Sequence, residues 1–137
     1  MHLLKGAAKD FFKKNKYVYS PTFRKEKIFL NSKGINHLFY KGSRSGRNLK
    51  EVQTRIKLLP RAITLLKLMP IAQEEDFYIQ DKVKYKFWAF EGVVKGKKIK
   101  VIVRQIGNGN KHFWSVIPSW RKNRFGIVNS RKKLSKT

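Results

Sequence analysis

Residues 73–118, QEEDFYIQDKVKYKFWAFEGVVKGKKIKVIVRQIGNGNKHFWSVIP, contain the pattern that decides the fold. Apolar and polar residues alternate along three or four runs, which are separated by DK, KGK and GNGN. Alternation with a period of two is typical of strands that bury one face, and such short separators are typical of hairpin turns. The stretch therefore predicts an antiparallel meander of three or four strands.

Turns at 95–96 and within 107–110 also set a register for this sheet. The directly opposed pairs would be Val94 and Lys97, Glu91 and Lys100, Ala89 and Ile102, Phe87 and Arg104, Ile106 and Lys111, Arg104 and Phe113, and Ile102 and Ser115. Alternation then gives one wetter face, with Tyr85, Phe87, Glu91, Lys100, Ile102, Arg104, Phe113 and Ser115. The opposite face would hold Trp88, Phe90, Ile99, Val101, Val103, His112, Trp114 and Val116.

The second face is the more apolar one, so we expect the helices to pack against it. On this register His112 points toward the core, where a histidine is commonly a hydrogen-bonded structural group. A bulge after the GNGN turn would move it to the wetter face. A carboxylate among cations, such as Glu91, is also often an ordinary salt-bridged surface group.

The residues before the sheet have helical periodicity. Apolar spacings of three and four predict a helix over 3–14, and a short extended piece is expected at 27–30. Asn31 or Ser32 can cap a helix that carries His37 and closes at Gly42. A stripe of apolar residues follows from position 49 to 66, where Pro60 either starts a second helix or kinks one long helix and Pro70 ends it.

The composition indicates a folded domain with a polyanionic partner. The chain has 137 residues, 41% of them hydrophobic, which suits one α+β domain over 1–120, with a helical region at 31–69, followed by a basic arm at 121–137. Lys and Arg number 33 against 8 Asp and Glu, giving a net charge of +25. Such a charge favours nucleic acid as the partner, with an anionic membrane as a weaker alternative, because no amphipathic helix concentrates the cations.

Several classes of protein are disfavoured by the residues that are missing. The chain has no cysteine and 3 histidines, so we expect no disulfide, no metal site built from cysteine or histidine, and no cofactor. Any catalysis would be metal-independent or would borrow a metal through few protein ligands. No run reaches the length of a membrane span, and the charged start MHLLKGAAKDFF does not suit a signal peptide. We therefore expect a cytoplasmic protein, or an excised domain that is delivered into the cytoplasm of a target cell.

Two features of the chain point to a family: a basic helical half with a histidine-bearing helix, GINHLFYKG, and a following meander whose last strand reads KHFWSV. In this order they resemble the barnase, EndoU, colicin and RelE-like (BECR) nuclease superfamily of phages, mobile elements and toxins. The resemblance covers roughly residues 27 to 118. It implies helices on one side of the sheet and metal-independent RNA cleavage on the other. His37 resembles the helix histidine, Arg104 in VIVRQI the strand arginine that neutralises the scissile phosphate, and Ser115 the Ser/Thr position on the last strand.

A second branch of the superfamily implies different roles. There the last-strand histidine is the general acid and a carboxylate is the base, which corresponds to His112 and Glu91. The candidate catalytic residues are thus His37, Arg104, Ser115, Glu91 and His112. Residues expected to hold phosphate or RNA are Lys41, Arg44, Arg47, Arg55, Lys100 and Trp120. Cations around a histidine should lower its pKa and favour the neutral base form.

The expected function is that of an endoribonuclease that attacks through the 2′-OH of its substrate, with tRNA as one candidate substrate. A lethal basic enzyme would need an acidic antitoxin or immunity protein as its partner. The alternatives are a non-catalytic RNA- or DNA-binding domain and an accessory protein of a large nucleoprotein assembly.

Overall fold

The chain, as a computed structural model, forms a six-stranded mixed sheet with three α-helices. The structure describes residues 2–24, 26–40, 46–119 and 134. The helices are α1 (His2–Lys14), α2 (Ser32–Phe39) and α3 (Leu49–Leu68), and a 3-10 turn spans Pro21–Phe23. The strands are β1 (Tyr17–Tyr19), β2 (Lys27–Phe29), β3 (Glu74–Gln80), β4 (Val83–Val94), β5 (Lys97–Ile106) and β6 (Lys111–Pro118).

The α+β class is confirmed, and β3 to β6 form the predicted antiparallel meander. The predicted sheet of three or four antiparallel strands is incomplete, because two more strands extend it in the order β1-β2-β6-β5-β4-β3 and β2 lies parallel to β6. The parallel contact pairs Ile28 with Lys111 and Phe29 with His112. Strands β1 and β2 have three residues each, too few to display an alternating pattern in the sequence.

The β4–β5 hairpin has the predicted register. Lys95 and Gly96 both have positive φ values, as a two-residue hairpin turn of type I′ requires. All four predicted β4–β5 pairs are present, including Glu91 with Lys100 and Phe87 with Arg104. The turn residues alone therefore fix which β4 side chains stand beside those of β5.

Helices α2 and α3 begin after asparagine caps. Helix α2 starts after Asn31, whose side chain accepts a hydrogen bond from the Lys33 backbone N–H at 3.1 Å, the usual role of an N-cap asparagine. It ends at Phe39, and the expected closing residue, Gly42, lies outside the described residues. Helix α3 is continuous with Pro60 inside it, so no separate second helix begins there.

Two buried clusters lie on the two faces of the sheet. The larger joins residues of all three helices to Phe90, Val103, Phe113 and other residues on what we call the inner face. The smaller lies on the outer face and consists of Phe87, Ala89, Ile102 and Leu134, with Tyr85 and Trp114 packed against it. Leu134 is 2% exposed. It belongs to the predicted basic arm at 121–137, and the rest of that arm lies outside the described residues.

Candidate functional site

A bulge in β6 reorganises the side chains that follow the GNGN turn. Ile102 pairs with Ser115 as predicted, but Val103 pairs with Phe113 and Arg104 with His112, so Trp114 is an extra residue in the ladder. An extra residue reverses the alternation on one side of it. His112 therefore lies beside Arg104 on the outer face, and Phe113 enters the inner core.

The predicted pairs of Arg104 with Phe113 and of Ile106 with Lys111 are accordingly wrong. The assignment of His112 and Trp114 to the core-facing side is wrong for the same reason, because Trp114 packs on the outer-face cluster. A bulge that moves His112 to the other face is present, as the alternative prediction allowed. It lies at the register shift between Ile102 and Val103 and not at the GNGN turn.

Arg104, which is half-buried, forms a hydrogen-bonded pair with buried His112. The Arg104 Nε donates to His112 Nε2 at 2.8 Å, and the guanidinium carbon lies 3.6 Å from the centre of the Trp114 ring. A guanidinium has no acceptor, so Nε2 must carry the lone pair and the imidazole proton resides on Nδ1. His112 is thus a neutral imidazole whose basic nitrogen faces a cation.

His37 approaches the same tryptophan from α2. Its ring stacks on Trp114 with centroids 3.9 Å apart and planes inclined by 16°. Gly34, one turn earlier in α2, allows this approach: a Cβ there would lie 2.5 Å from the Phe113 carbonyl oxygen. The absence of a side chain at Gly34 therefore brings the histidine-bearing helix onto β6.

Arg47 fixes the orientation of His37. Its Nε donates to the His37 carbonyl at 2.9 Å, and a terminal guanidinium nitrogen lies 3.1 Å from His37 Nε2. Nε2 of His37 is therefore also an acceptor, and this imidazole is neutral as well. Glu51, in the first turn of α3, lies 3.8 Å from the Arg47 guanidinium.

A third arginine reaches the site from α3. Arg55 donates to the Ser115 hydroxyl at 2.5 Å, and both side chains are buried. Ser115 is fully buried, so its hydroxyl positions the Arg55 guanidinium and does not face the solvent. We call the seven residues brought together here the arginine–histidine cluster: His37, Arg47, Arg55, Arg104, His112, Trp114 and Ser115.

Burial and neighbouring cations lower the pKa of both histidines. For His37 the pKa falls to about 2, first because of burial and then because of Arg47, Arg55 and Arg104. For His112 the pKa falls to about 4, again first because of burial and then because of Arg104, although a hydrogen bond to the Asn110 backbone raises it. The predicted lowering of the histidine pKa values is confirmed, but burial lowers them more than the repulsion by neighbouring cations that the sequence suggested.

The arginine side chains of the cluster are cationic, because a guanidinium group is not deprotonated in proteins at neutral pH. Burial lowers the pKa of Arg104 to about 10, while Tyr78 and Tyr85 raise it. Burial also lowers the pKa of Arg47, against an opposing effect of Glu51. The cluster thus combines cationic guanidiniums with neutral imidazoles at a partly desolvated site. Its electrostatic character is that of an anion-binding site.

The structure separates two of the predicted site residues from the cluster. Glu91 stands opposite Lys100, which lies two same-face positions along β5 from Arg104. Lys100 Nζ forms an ion pair with Glu74 at 3.0 Å, and the Glu91 backbone N–H donates to the Gln73 side chain. The carboxylate expected to serve as a base is therefore not beside the cluster.

The remaining candidates divide between the cluster and the undescribed residues. Arg47 and Arg55, expected as phosphate-binding residues, belong to the cluster. Lys41, Arg44 and Trp120 lie outside the described residues. Trp114, predicted to face the core, is the residue that both His37 and Arg104 contact. The bulge that moves Trp114 to the outer face has no signature in the sequence.

Comparisons with other proteins leave the nuclease resemblance as a prediction. No family model, no curated protein and no solved structure matches the chain. Within the described ranges, no three His, Asp or Glu side chains are grouped as metal ligands, and no helix there is long and apolar enough to cross a membrane. The chemistry of the cluster itself is therefore the basis for a functional assignment.

Proposed function

We propose that the protein is a metal-independent endoribonuclease that cleaves RNA at the arginine–histidine cluster through attack of a ribose 2′-OH. The observation that carries the proposal is the meeting of Arg104, His112 and His37 around Trp114. Guanidiniums can hold the scissile phosphate and neutralise the charge that develops on it. Neutral imidazoles can accept the proton of the attacking hydroxyl.

Arg104 is the proposed phosphate ligand. It is half-buried and His112 lies behind it, so an incoming phosphate meets the guanidinium first. As Arg104 turns toward the phosphate, it releases the Nε2 atom of His112. The negative charge of the phosphate then raises the pKa of His112, since an anion favours the imidazolium form.

The proposed reaction is a transesterification. His112 Nε2 takes the proton of the 2′-OH, the 2′-oxygen bonds to phosphorus, and the bond from phosphorus to the 5′-oxygen breaks. The 5′-oxygen then receives a proton from the His112 imidazolium that formed when His112 took the 2′-OH proton, because His37 is neutral at its pKa of about 2. The products are a 2′,3′-cyclic phosphate and a 5′-OH, and Ser115 contributes by positioning Arg55.

One observation favours a second function, that of a non-catalytic RNA- or DNA-binding domain. The Nε2 atoms of both histidines are occupied by guanidiniums, and His37 and His112 are 5% and 1% exposed. If these bonds persist when nucleic acid binds, neither imidazole can exchange a proton with it. The cluster would then supply fixed positive charge for backbone phosphates.

Incubation of RNA with the protein in EDTA distinguishes the two functions. The nuclease proposal expects cleavage, and it expects Arg104→Ala and His37→Ala to abolish it. Lys98→Ala is a matched control, because it removes an exposed cation from the same strand as Arg104. Binding without cleavage overturns the nuclease proposal, and cleavage that persists in both cluster variants identifies a contaminating enzyme.

The proposal extends to the biological setting of the enzyme. We propose a structured RNA such as tRNA as the substrate and an acidic antitoxin or immunity protein as the inhibitor, since a net charge of +25 favours a charge-complementary partner. The proposed place of action is the cytoplasm, either of the producing cell or of a target cell. Toxicity on expression, relieved by Arg104→Ala, would support this setting, and harmless expression of an active enzyme would contradict it.

A further inference from the structure

Aromatic side chains continue across the outer face from the arginine–histidine cluster to the edge of the sheet. Tyr78 of β3 stands directly opposite Tyr85 of β4, and their rings stack with centroids 4.8 Å apart and planes inclined by 10°. Tyr78 also lies 5.8 Å from Phe87, which in turn lies 6.5 Å from Trp114. This row of aromatic rings therefore runs from the edge strand to Trp114, the ring that Arg104 and His37 contact.

Tyr78 is the accessible end of this row. Its side chain is 38% exposed, whereas Phe87 is 1% exposed. Strand β3 is the last strand in the sheet order of the described residues, so the side of the Tyr78 ring away from Tyr85 faces the sheet edge. An exposed, pre-stacked aromatic ring offers a π-face at little entropic cost.

The charges around the row favour a base at β3 and a phosphate at Arg104. Tyr78 and Tyr85 lie near enough to Arg104 to raise its pKa. Two strand spacings and an offset of two residues along the strand separate the backbone of Arg104 from that of Tyr78, which is about 12 Å. Asp76 lies on the same strand and the same face as Tyr78, whereas the Glu74 carboxylate is paired with Lys100. The Asp76 carboxylate repels phosphates from β3, so a nucleotide bound across this face turns its neutral base toward Tyr78.

We propose that Tyr78, supported by Tyr85, is a stacking platform for an unpaired base of single-stranded RNA whose phosphate is held at Arg104. Unpaired bases commonly stack on exposed aromatic side chains in protein–RNA complexes, whereas bases within a duplex have no free face. The inference rests on the proposed binding of RNA phosphate at the cluster. It adds a substrate class to that proposal: the bound nucleotide is unstacked, in a loop or a single strand.

The test measures binding without chemistry. The probes are a 2′-O-methyl RNA hexamer, which lacks the attacking hydroxyl, the same backbone with abasic sites, and the hexamer annealed to its complement, all at one salt concentration. Fluorescence anisotropy gives the Kd of each. We expect the single strand to bind more tightly than both other probes, and Tyr78→Ala to weaken its binding about tenfold or more while leaving the abasic probe unchanged.

Two further variants control for the ring and for the fold. Tyr78→Phe keeps the π-face and should bind the single strand as the native protein does. Phe77→Ala is the matched control, because Phe77 is 57% exposed on the same strand but points to the other face, where Lys84 lies over its ring. Its removal should change no affinity.

Specific results would overturn the inference. They are an unchanged affinity in Tyr78→Ala, an equal loss for the abasic probe, or duplex binding as tight as single-strand binding. The nuclease proposal is tested separately. RNA cleavage together with unchanged binding in Tyr78→Ala would refute only the stacking platform, whereas weakened binding in Tyr78→Ala without RNA cleavage would refute only the nuclease.

Discussion

Acid should destabilise this protein through its two buried histidines. In the folded chain the pKa of His112 is about 4 and that of His37 about 2, whereas an unfolded histidine titrates near 6.5. The unfolded state therefore binds more protons below about pH 6.5. The free energy of unfolding is consequently at its full value above that pH and falls as the pH drops toward the folded pKa values.

The size of the effect follows from these pKa values. At about pH 4.5, two units below the unfolded value, each histidine that stays neutral in the folded state lowers the free energy of unfolding by about 2.7 kcal/mol. The two together account for about 5 kcal/mol, a large part of the stability of a typical small domain. Urea unfolding followed by tryptophan fluorescence at several pH values measures this loss.

Single variants isolate the contribution of each histidine. His112→Gln and His37→Gln keep a hydrogen-bond acceptor for the neighbouring guanidinium, and each should reduce the slope of unfolding free energy against pH by about 1.4 kcal/mol per pH unit near pH 5. His2→Gln is the control, because His2 is exposed at the start of α1. Slopes that are the same in all three variants and the native protein would refute the assignment of buried neutral imidazoles.

Three further outcomes test the packing around the site. Gly34→Ala, whose Cβ would meet the β6 backbone, should cost about 1–3 kcal/mol through overpacking. Gly6→Ala, where the added Cβ meets open space, should instead raise the free energy of unfolding by about 0.5–1 kcal/mol through helix propensity. Equal effects of the two variants in thermal unfolding would contradict the close approach of α2 to β6. Leu134→Ala removes a side chain buried on the outer face and should cost about 2–5 kcal/mol in urea unfolding, whereas no loss would mean that Leu134 does not pack there. Ser115→Ala removes the acceptor of the Arg55 hydrogen bond and should lower the free energy of unfolding by about 1–3 kcal/mol in the same measurement. Unchanged stability would mean that this hydrogen bond does not stabilise the fold.

The part of the fold that the sequence predicts is the part governed by local chemistry. Positive φ values at Lys95 and Gly96 leave one hairpin geometry, so this turn fixes the register of β4 and β5. The short extended piece predicted at 27–30 is present as strand β2. Its parallel pairing with β6 is not predicted, because the two strands are distant in sequence and no local pattern indicates the contact.

The candidate site is predictable in its residue types and less so in its arrangement. His37, Arg104 and Ser115 are expected together, and the structure brings them to one cluster. The bulge at Trp114 could not be foreseen, because its position depends on how β6 meets both β5 and α2. That one extra residue reverses the alternation and moves His112 from the predicted core side to Arg104.

A DNA strand that contains one ribonucleotide, incubated with the protein in EDTA, shows whether the arginine–histidine cluster cleaves RNA through a 2′-OH. The proposed mechanism predicts a cut at that ribonucleotide alone, yielding a 2′,3′-cyclic phosphate and a 5′-OH that mass spectrometry identifies. It also predicts a rate at least about 100-fold lower in Arg104→Gln, the scale expected when a group that stabilises the transition-state charge is removed. An intact strand in the presence of tight binding, or an equal cut in the all-DNA strand, would contradict it.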